Sequence, residues 1–368
     1  MVTTSPADFW PLSPVVDAFA KDSRFSCSVV VTGSHVPGSL RFDSSVNAIE
    51  RPVGAPHGAS RIELARFAAG TAQVVAEVLA SNTFDAVVLL GDRFEMLAVA
   101  GIAHLFGVSI VHLHGGELSY GSFDDDLRHA ISKLSQLHLC ATARSAQRLQ
   151  QLGEATDRIV VVGAPGIERF LVEEQNSKAP DWVLPGLVMV SYHSPTNEPE
   201  SLAAELEAVV TGTSASFAPQ IVVSSPGVDP GSATITERFR SWEREESRVQ
   251  LVPSLGAAFP AVLRKASCIV GNSSSGIIEA PALGVPTINV GSRQAGRDRA
   301  STVLDVASDS MAVTTAIEAA RTTGHIPTKD VRHPYYREGT CQRIVEETFQ
   351  FLGRDSFGPK RFVDHDCN

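Results

Sequence analysis

Carboxylate and imidazole side chains are concentrated in three segments of the first half of the chain. They are Asp92 in GDRFEML, His112, His114 and Glu117 in VHLHGGELSYG, and Asp124 and Asp125 in FDDDLRHAISKLSQLH. The first two segments each follow a short apolar run, which is typical of polar groups at the end of a strand. Together such groups can move protons, one removing a proton from carbon and another returning it. The cluster therefore predicts acid/base catalysis.

Two other interpretations of these residues stay open. The three aspartates could form the first turn of a helix, where acidic side chains are favoured. The possible pairs four residues apart are Asp124 with Arg128 and Asp125 with His129. His112 and His114 point to the same side of an extended segment and could bind a metal ion, but the sequence places no clear third ligand. We therefore expect no metal.

A second group of polar residues lies in GNSSSGIIEAPALGVP, residues 271–286. It follows the apolar run 268–270, so its serines lie where a strand leads into a helix. At a helix N-terminus, free N–H groups and the helix dipole favour an anion. The residues expected to bind a diphosphate are Ser273, Ser274, Ser275 and Gly276. Glu279, one turn later, is placed to accept hydrogen bonds from a ribose diol.

Positive charge for such an anion is available in the loop GSRQAGRDR, which follows the next apolar run. Arg293 and Arg297 in that loop could contact the diphosphate. The alternatives are that the serines only cap a helix and that the arginines are simply solvated. Three hydroxyls, a glycine and a following glutamate in one segment favour nucleotide binding.

These segments need a scaffold that brings the ends of several strands together. Short apolar runs alternate with amphipathic stretches, which is the pattern of a parallel sheet covered by helices. The candidate strands of the first half are residues 28–33, 86–91, 109–113, 137–141 and 159–163. Those of the second half are residues 187–192, 220–223, 249–252, 267–270 and 287–290. One helix should begin at Ser60, where Glu63 completes a capping box.

The chain is too long for one hydrophobic core, and a linker divides it. The segment NSKAPDWVLPG, residues 176–186, separates the two sets of strands in a chain of 368 residues. We predict an α/β fold with an N-terminal Rossmann-like domain over residues 1–175 and a C-terminal one over residues 186–353. The two would face each other across a cleft, and the tail 354–368 would pack back on the first domain.

Charge and cysteine content exclude several classes of protein. The net charge of −10 counts against nucleic-acid binding. The sequence shows no signal peptide and no long apolar span, which excludes a membrane partner. The five cysteines form no CxxC pair; they are Cys27, Cys140, Cys268, Cys341 and Cys367. We expect a soluble, reduced, cytoplasmic protein.

The chain resembles the UDP-N-acetylglucosamine 2-epimerase family, and the hydrolysing branch more than the non-hydrolysing one. The resemblance lies in TTSPADFWPL, GDRFE, HLHGGE, DDDLRHAISKLSQLH and GNSSSGIIEAPALGVPTINVGSRQAGR, and it covers nearly the whole chain. GDRFE and GNSSSG are its most specific segments. The resemblance implies a GT-B-like fold with the nucleotide in the C-terminal domain and the sugar at the interdomain cleft. It also implies a homodimer and no metal or nicotinamide cofactor.

The resemblance further implies an anti elimination of UDP across C1 and C2 through a 2-acetamidoglucal. Hydrolysing members then add water and release N-acetylmannosamine, whereas non-hydrolysing members return UDP and release UDP-N-acetylmannosamine. By position, Asp92 matches the first acid of the family and Asp124 the carboxylate of its DD motif. His193, in SYHSPTNE, matches a histidine that approaches the diphosphate. The three serines match phosphate contacts, and Glu279 matches the ribose contact.

Two segments depart from the family pattern. His114 stands where many members have a glutamate, although H-x-H-G-G-E forms occur among hydrolysing relatives, so His114 or Glu117 could be the second acid/base group. TTSPAD has Pro6 in place of an arginine and Thr4 in place of a glycine, which removes a fixed positive charge near the diphosphate. The short stretch before TTSPAD leaves little room for the usual first strand.

Two functions from other classes stay open. A GT-B glycosyltransferase would share the fold and the nucleotide site but would transfer the sugar without moving a proton at C2. A catalytically silent nucleotide-sugar binder would keep the UDP site without turnover. Sugars modified at C4 or C6 would use the same UDP contacts, so the sequence leaves the sugar open.

Overall fold

The computed structural model describes residues 1–54, 60–120, 124–227, 230–353 and 360–364. The chain divides into two compact units. Unit 1 comprises Met1–Glu117, Asp124–Arg169 and Tyr335–Asn368, and unit 2 comprises Leu118–Phe123 and Phe170–Pro334. Each unit is built on parallel β-sheet.

Unit 1 carries seven strands among its described residues. They are β1 (Val2–Thr3), β2 (Ser28–Val31), β3 (Asn47–Glu50), β4 (Ala86–Leu90), β5 (Ser109–Leu113), β6 (Leu137–Cys140) and β7 (Ile159–Val161). One sheet has the order β1-β2-β3, the other runs from β4 to β7, and β1 lies beside β4. All five strands predicted for this half are confirmed. The first strand, for which the sequence leaves little room, is present with two residues.

Helices cover the sheets of unit 1. They are α1 (Pro6–Ala20), α2 (Arg61–Ser81), α3 (Phe94–Leu105), α4 (Asp124–Leu134) and α5 (Ala143–Gln151). The predicted start of α2 is confirmed, because the Ser60 hydroxyl accepts a hydrogen bond from the Glu63 N–H. All of β4 and three of the five residues of β5 are apolar, because helices pack on both faces of a parallel sheet.

The described residues of unit 2 form one sheet of six parallel strands. Helix α6 (Gly166–Asn176) leads into it from unit 1. The strands are β8 (Leu187–Ser191), β9 (Ile221–Ser224), β10 (Val249–Val252), β11 (Ala266–Gly271), β12 (Thr287–Val290) and β13 (Val303–Val306). Their order is β10-β9-β8-β11-β12-β13, so the winding reverses between β8 and β11. Ligands of open α/β sheets bind at such a reversal.

Five helices belong wholly to unit 2 within the described residues. They are α7 (Leu202–Ser214), α8 (Ser232–Glu245), α9 (Phe259–Lys265), α10 (Ser274–Ile278) and α11 (Ser310–Thr323). Trp242 and Phe239 of α8 are buried in the core of this unit. The five strands predicted for the second half are confirmed, and β13 is an additional one.

The last helix of the described residues, α12 (Thr340–Leu352), packs in unit 1. Its Ile344 and Val345 share an apolar cluster with Leu12 and Val16 of α1. Unit 2 therefore ends at Pro334 and not at residue 353, where the sequence placed its boundary. An amphipathic pattern shows that one face of a helix is buried, but it does not say against which sheet.

The tail and the cysteines complete the description of the chain. Val363 in the tail donates a backbone hydrogen bond to the Gly153 carbonyl of unit 1 at 2.9 Å. The four described cysteines are buried free thiols, and burial raises the pKa of the Cys268 thiol to about 12. Cys367 lies outside the described residues. No helix in the described ranges combines the length and apolarity that crossing a membrane requires.

Candidate active site

Two neighbouring strands of unit 1 bring candidate acid/base residues to one edge of the sheet. β4 and β5 pair in parallel with Leu90 opposite Leu113. Asp92 and His114 follow these strand ends along the chain. Because the carboxyl ends of parallel strands form the ligand edge of α/β sheets, both residues are placed where chemistry occurs in such folds.

A buried arginine links the residues at this edge. The side chain of Arg128 in α4 is only 1% exposed and forms an ion pair with Asp92. It also donates to the Glu117 carbonyl at 2.8 Å and to Asp125 Oδ1 at 3.4 Å. A guanidinium stays charged at every relevant pH and presents several donors in a fixed plane. Arg128 therefore holds Asp92 and the backbone of Glu117 in one arrangement.

His114 and Glu117 form a second pair. His114 Nδ1 lies 2.5 Å from Glu117 Oε1, and the histidine side chain is 13% exposed against 3% for the glutamate. A carboxylate that accepts from Nδ1–H leaves the lone pair on Nε2, which makes the imidazole a base. The sequence left His114 and Glu117 as alternatives, whereas the structure brings them together with His114 as the more exposed member.

The turn that carries this pair has an unusual backbone. Among the described residues, His114 is the one non-glycine with a positive φ, at 65°. Gly116 has φ 76°, and a side chain there would meet the Ser145 carbonyl oxygen at 2.2 Å. Non-glycine residues in the left-handed region cost conformational energy and cluster at functional sites. The turn thus supports a functional role for His114.

His112 has a structural role instead. It is fully buried, with Nε2 2.8 Å from the Gly91 carbonyl and Nδ1 3.1 Å from the Ser132 hydroxyl. Burial lowers its pKa to about 3, so the ring is neutral. The interpretation of His112 and His114 as a metal pair fails, because the extended segment ends at Leu113 and both His112 nitrogens are used within the protein.

The three aspartates occupy the first turn of α4, as the helix interpretation predicted. Asp125 Oδ2 lies 3.7 Å from His129 Nε2, so that predicted pair is present. Asp124 contributes its negative charge to the surroundings of Arg93, a residue next to Asp92 in the chain. The aspartates therefore form the start of α4 and also lie near the acid/base edge.

A buried polar network beside Asp92 was not found from the sequence. The Asp8 carboxylate contacts both Thr3 and Thr4, and Thr4 Oγ1 lies 3.0 Å from Glu95 Oε1. His35 Nε2 lies 2.9 Å from Thr3 Oγ1. His35 Nδ1 and Glu95 Oε2 are buried without a hydrogen-bond partner in the described part of the chain. Buried polar atoms are normally paired, so these two are candidate ligand contacts.

Arg93 joins the same network and gives it a fixed positive charge. Its Nε donates to Glu95 Oε1 at 2.7 Å. Burial alone would lower the pKa of Arg93, but the charges of Glu95, Asp8 and Asp124 outweigh it and raise the pKa. Pro6, which replaces an arginine in the family pattern, forms the first turn of α1. The GDRFE segment was the available signal for Arg93, because it follows a strand end directly.

In unit 2 the serines lie where the sheet reverses its winding. β11 ends at Gly271, and the Ser273 hydroxyl caps α10 by accepting from the Ser275 N–H at 3.3 Å. The N-terminus of α10 thus follows the strand at the reversal point. The cap satisfies one N–H group, and the remaining hydroxyls belong to Ser274 and Ser275.

Asn272, which directly precedes the serines, fixes His193 at this point. Its side chain accepts from the His193 N–H at 2.7 Å and donates to the His193 carbonyl at 2.8 Å. These two hydrogen bonds from one side-chain amide to the backbone of His193 tie the segment after β8 to the segment after β11. Burial, and then the charge of Arg293, lower the pKa of His193 to about 3. His193 is therefore a neutral side chain with a fixed backbone.

The arginine loop lies against the same asparagine. Arg293 Nη1 and Gln294 Nε2 donate to the Asn272 carbonyl at 3.3 and 2.9 Å. These contacts hold Arg293 next to the serine segment. Arg297 belongs to the same loop, where its carbonyl accepts from Arg299 Nη1 at 3.0 Å.

Glu279 and Gly276 are the remaining predicted nucleotide contacts of this segment. Glu279 ends α10 one turn after Ser275, and its side chain is buried. At Gly276 an added side chain would meet the Thr287 methyl group at 2.8 Å. Glycine there lets α10 pack on β12.

Comparisons with known proteins agree on one family. The family model described as UDP-N-acetylglucosamine 2-epimerase matches residues 17–348. A Legionella pneumophila UDP-N,N'-diacetylbacillosamine 2-epimerase (hydrolyzing) is 33% identical over 323 residues, which cover 83% of this chain and 84% of that protein. A Neisseria meningitidis UDP-N-acetylglucosamine 2-epimerase is 27% identical over 378 residues, covering 99% and 98%.

The fold is shared with solved structures of the same kind of protein. The Methanocaldococcus jannaschii UDP-GlcNAc 2-epimerase, solved with UDP-GlcNAc and UDP, matches 95% of this chain and 98% of its own with a TM-score of 0.76 and 16% identity. At that identity the similarity shows the fold alone. The predicted GT-B-like fold class of two Rossmann-like units is confirmed.

Proposed function

The chain belongs to the UDP-N-acetylglucosamine 2-epimerase family, and from that premise we propose that it is a hydrolysing epimerase. It converts UDP-N-acetylglucosamine and water into N-acetylmannosamine and UDP. The observation that carries the proposal is the hydrogen-bonded His114–Glu117 pair, linked through Arg128 to Asp92 at one sheet edge. Inversion at a carbon needs a proton removed from one face and returned to the other, so two separate proton-transfer groups fit the reaction.

The reaction proceeds in two steps. One group removes the C2 proton while the C1–O bond breaks, its electron pair leaves with UDP, and a C1–C2 double bond forms. Water then adds its oxygen to C1 and loses one proton to the solvent, while a second group delivers a proton to C2 from the opposite face. We assign the two groups to Asp92, held by Arg128, and to His114, oriented by Glu117. Asp124 is the third candidate carboxylate.

UDP is assigned to unit 2. The N-terminus of α10 offers N–H groups and hydroxyls for the diphosphate at the reversal point of the sheet. Arg293 lies beside that segment and adds positive charge. Glu279 at the end of α10 would accept from the ribose hydroxyls. In unit 1, Arg93 supplies a fixed positive charge, which Pro6 cannot supply although it stands in place of the family arginine.

A related sugar is the second candidate substrate. The Legionella pneumophila relative is named for UDP-N,N'-diacetylbacillosamine, which carries a second acetamido group. The same elimination applies to it, because the reacting atoms are C1 and C2 in both. Comparing kcat/KM for the two UDP-sugars decides between them.

Turnover in heavy water tests the proposal. We expect NMR to show N-acetylmannosamine carrying deuterium at C2, together with free UDP. Formation of UDP-N-acetylmannosamine would assign the non-hydrolysing reaction instead. Sugar transfer without deuterium at C2 would indicate a glycosyltransferase, and tight UDP binding without products a silent binder. A homodimer stays a prediction that light scattering can check.

A further inference from the structure

A buried charge cluster lies at the C-terminal end of α4. Glu154, which follows α5, is completely buried. Its carboxylate lies 2.8 Å from Lys133 Nζ, 2.9 Å from His138 Nε2 and 2.6 Å from Lys360 Nζ. A buried carboxylate is costly unless charges and donors surround it, so this cluster is held together strongly. The proposed reaction uses none of these four residues.

Lys360 caps α4 with its side chain. Its Nζ donates to the carbonyls of Ser132, Lys133 and Ser135 at 3.0, 2.8 and 2.8 Å. The last carbonyls of a helix have no partner within the helix, and a cation there also complements the helix dipole. The lysine side chain is 13% exposed, so it is fixed at this position.

Two further tail residues contact the same region of unit 1. The Phe362 ring lies 4.7 Å from Lys133 Nζ and covers Gly153, where an added side chain would meet the ring at 2.5 Å. Val363 donates to the Gly153 carbonyl at 2.9 Å. Lys360, Phe362 and Val363 thus form a strap, which we call the tail strap, across the end of α4 and the turn after α5.

Helix α4 connects the tail strap to the acid/base edge. Asp124 lies in its first turn, and Arg128 in its middle touches Asp92 and the Glu117 carbonyl. A helix of eleven residues moves nearly as a rigid rod, so a shift at one end displaces side chains along it. A displacement of about 1 Å at reacting groups can cost about 10²-fold in rate.

We propose that Lys360 is a positioning residue: the tail strap holds α4 so that Arg128 and Asp124 keep their places at the acid/base edge. The catalytic consequence rests on the proposed function, whereas the effect on α4 does not. Lys360 acts through α4, and its loss should lower kcat while leaving UDP affinity in unit 2 unchanged.

Three variants of the full chain test this. Lys360→Met removes the charge and keeps the aliphatic stem, Lys360→Arg restores a cation, and Arg361→Met removes an exposed cation next to it as a matched control. We expect Lys360→Met to lower kcat by about 10²-fold, with the UDP Kd from calorimetry unchanged. Lys360→Arg should recover most of kcat, and Arg361→Met should equal the wild type. Amide hydrogen exchange of residues 124–134 should be faster in Lys360→Met.

The outcomes separate the two proposals. Three results would each overturn the positioning role. They are a wild-type kcat in Lys360→Met, an equal loss of kcat in Arg361→Met, and a loss of UDP affinity in Lys360→Met that parallels its loss of kcat. If the wild type shows no turnover, the proposed function fails. Unchanged amide hydrogen exchange of α4 in Lys360→Met would then be enough to overturn the positioning role. If Lys360→Met does not fold, Phe362→Ala replaces it, since that ring is 65% exposed. A lowered kcat in Phe362→Ala supports the tail strap, and an unchanged one overturns it.

Discussion

Replacing His114 by asparagine tests whether His114 and Glu117 act as one unit. The backbone at His114 has φ 65°, and asparagine adopts that region more readily than most residues, so the turn should survive the change. The imidazole is lost, and with it the base that Glu117 orients through Nδ1. The matching change, Glu117→Gln, keeps the imidazole but removes the carboxylate.

The expected magnitudes follow from the contact and the burial. Loss of a positioned general base costs about 10²–10⁴-fold in rate. Loss of a hydrogen bond to a charged group costs about 1.5–3 kcal/mol, which corresponds to roughly 10- to 150-fold. Since Glu117 is buried behind His114, we expect the larger loss in His114→Asn and the smaller one in Glu117→Gln. The double variant should be no slower than His114→Asn, because groups that act together do not add.

Initial rates of UDP release give kcat/KM for the four proteins. Calorimetry with UDP and thermal unfolding by circular dichroism check that unit 2 and the fold are intact. His104→Asn, a change at an exposed histidine in the last turn of α3, is the control and should behave as wild type. Near-normal His114→Asn with inactive Glu117→Gln would refute the reasoning, because Glu117 would then transfer the proton alone. If the two losses of kcat/KM simply add in the double variant, the coupling between His114 and Glu117 is refuted.

Three further predictions concern other parts of the molecule. Asp92→Asn should keep the fold and the UDP affinity but lower kcat by about 10²-fold or more; wild-type rates would remove Asp92 from the mechanism. Ser274→Ala and Glu279→Ala should each weaken UDP binding by about tenfold in calorimetry, the scale of one lost hydrogen bond, and unchanged affinity in both would relocate the nucleotide. For Glu154, burial would raise the pKa, but the hydrogen bonds from His138, Lys133 and Lys360 outweigh it and lower the pKa to about 2. Because the ordinary value is 4.5, its contribution to stability is full above that pH and is lost as the pH falls towards 2. The free energy of unfolding measured with urea should therefore decline less steeply over that range in Glu154→Gln than in wild type, and equal slopes would contradict the assignment.

The sequence by itself determined most of the buried strands and the polar residues that follow them. Short apolar runs that alternate with amphipathic stretches favour strands between helices, so the central strands of both units were predictable, whereas β1, β3 and β13 were not. The residue directly after a strand end must lie at the carboxyl edge of the sheet. That local rule located Asp92, His114 and the serine segment, because each lies within a few residues of its strand.

Only the tertiary structure decided which side chains meet. Arg128 reaches Asp92 from 36 residues away, and Lys360 reaches Glu154 across more than half the chain. Such pairs depend on how helices pack on the sheet, and a helical pattern gives the buried face without naming what covers it. For the same reason α12 was assigned to the wrong unit. Local sequence specifies backbone conformation and strand ends, whereas charge pairing and helix docking are set by contacts between segments far apart in the chain.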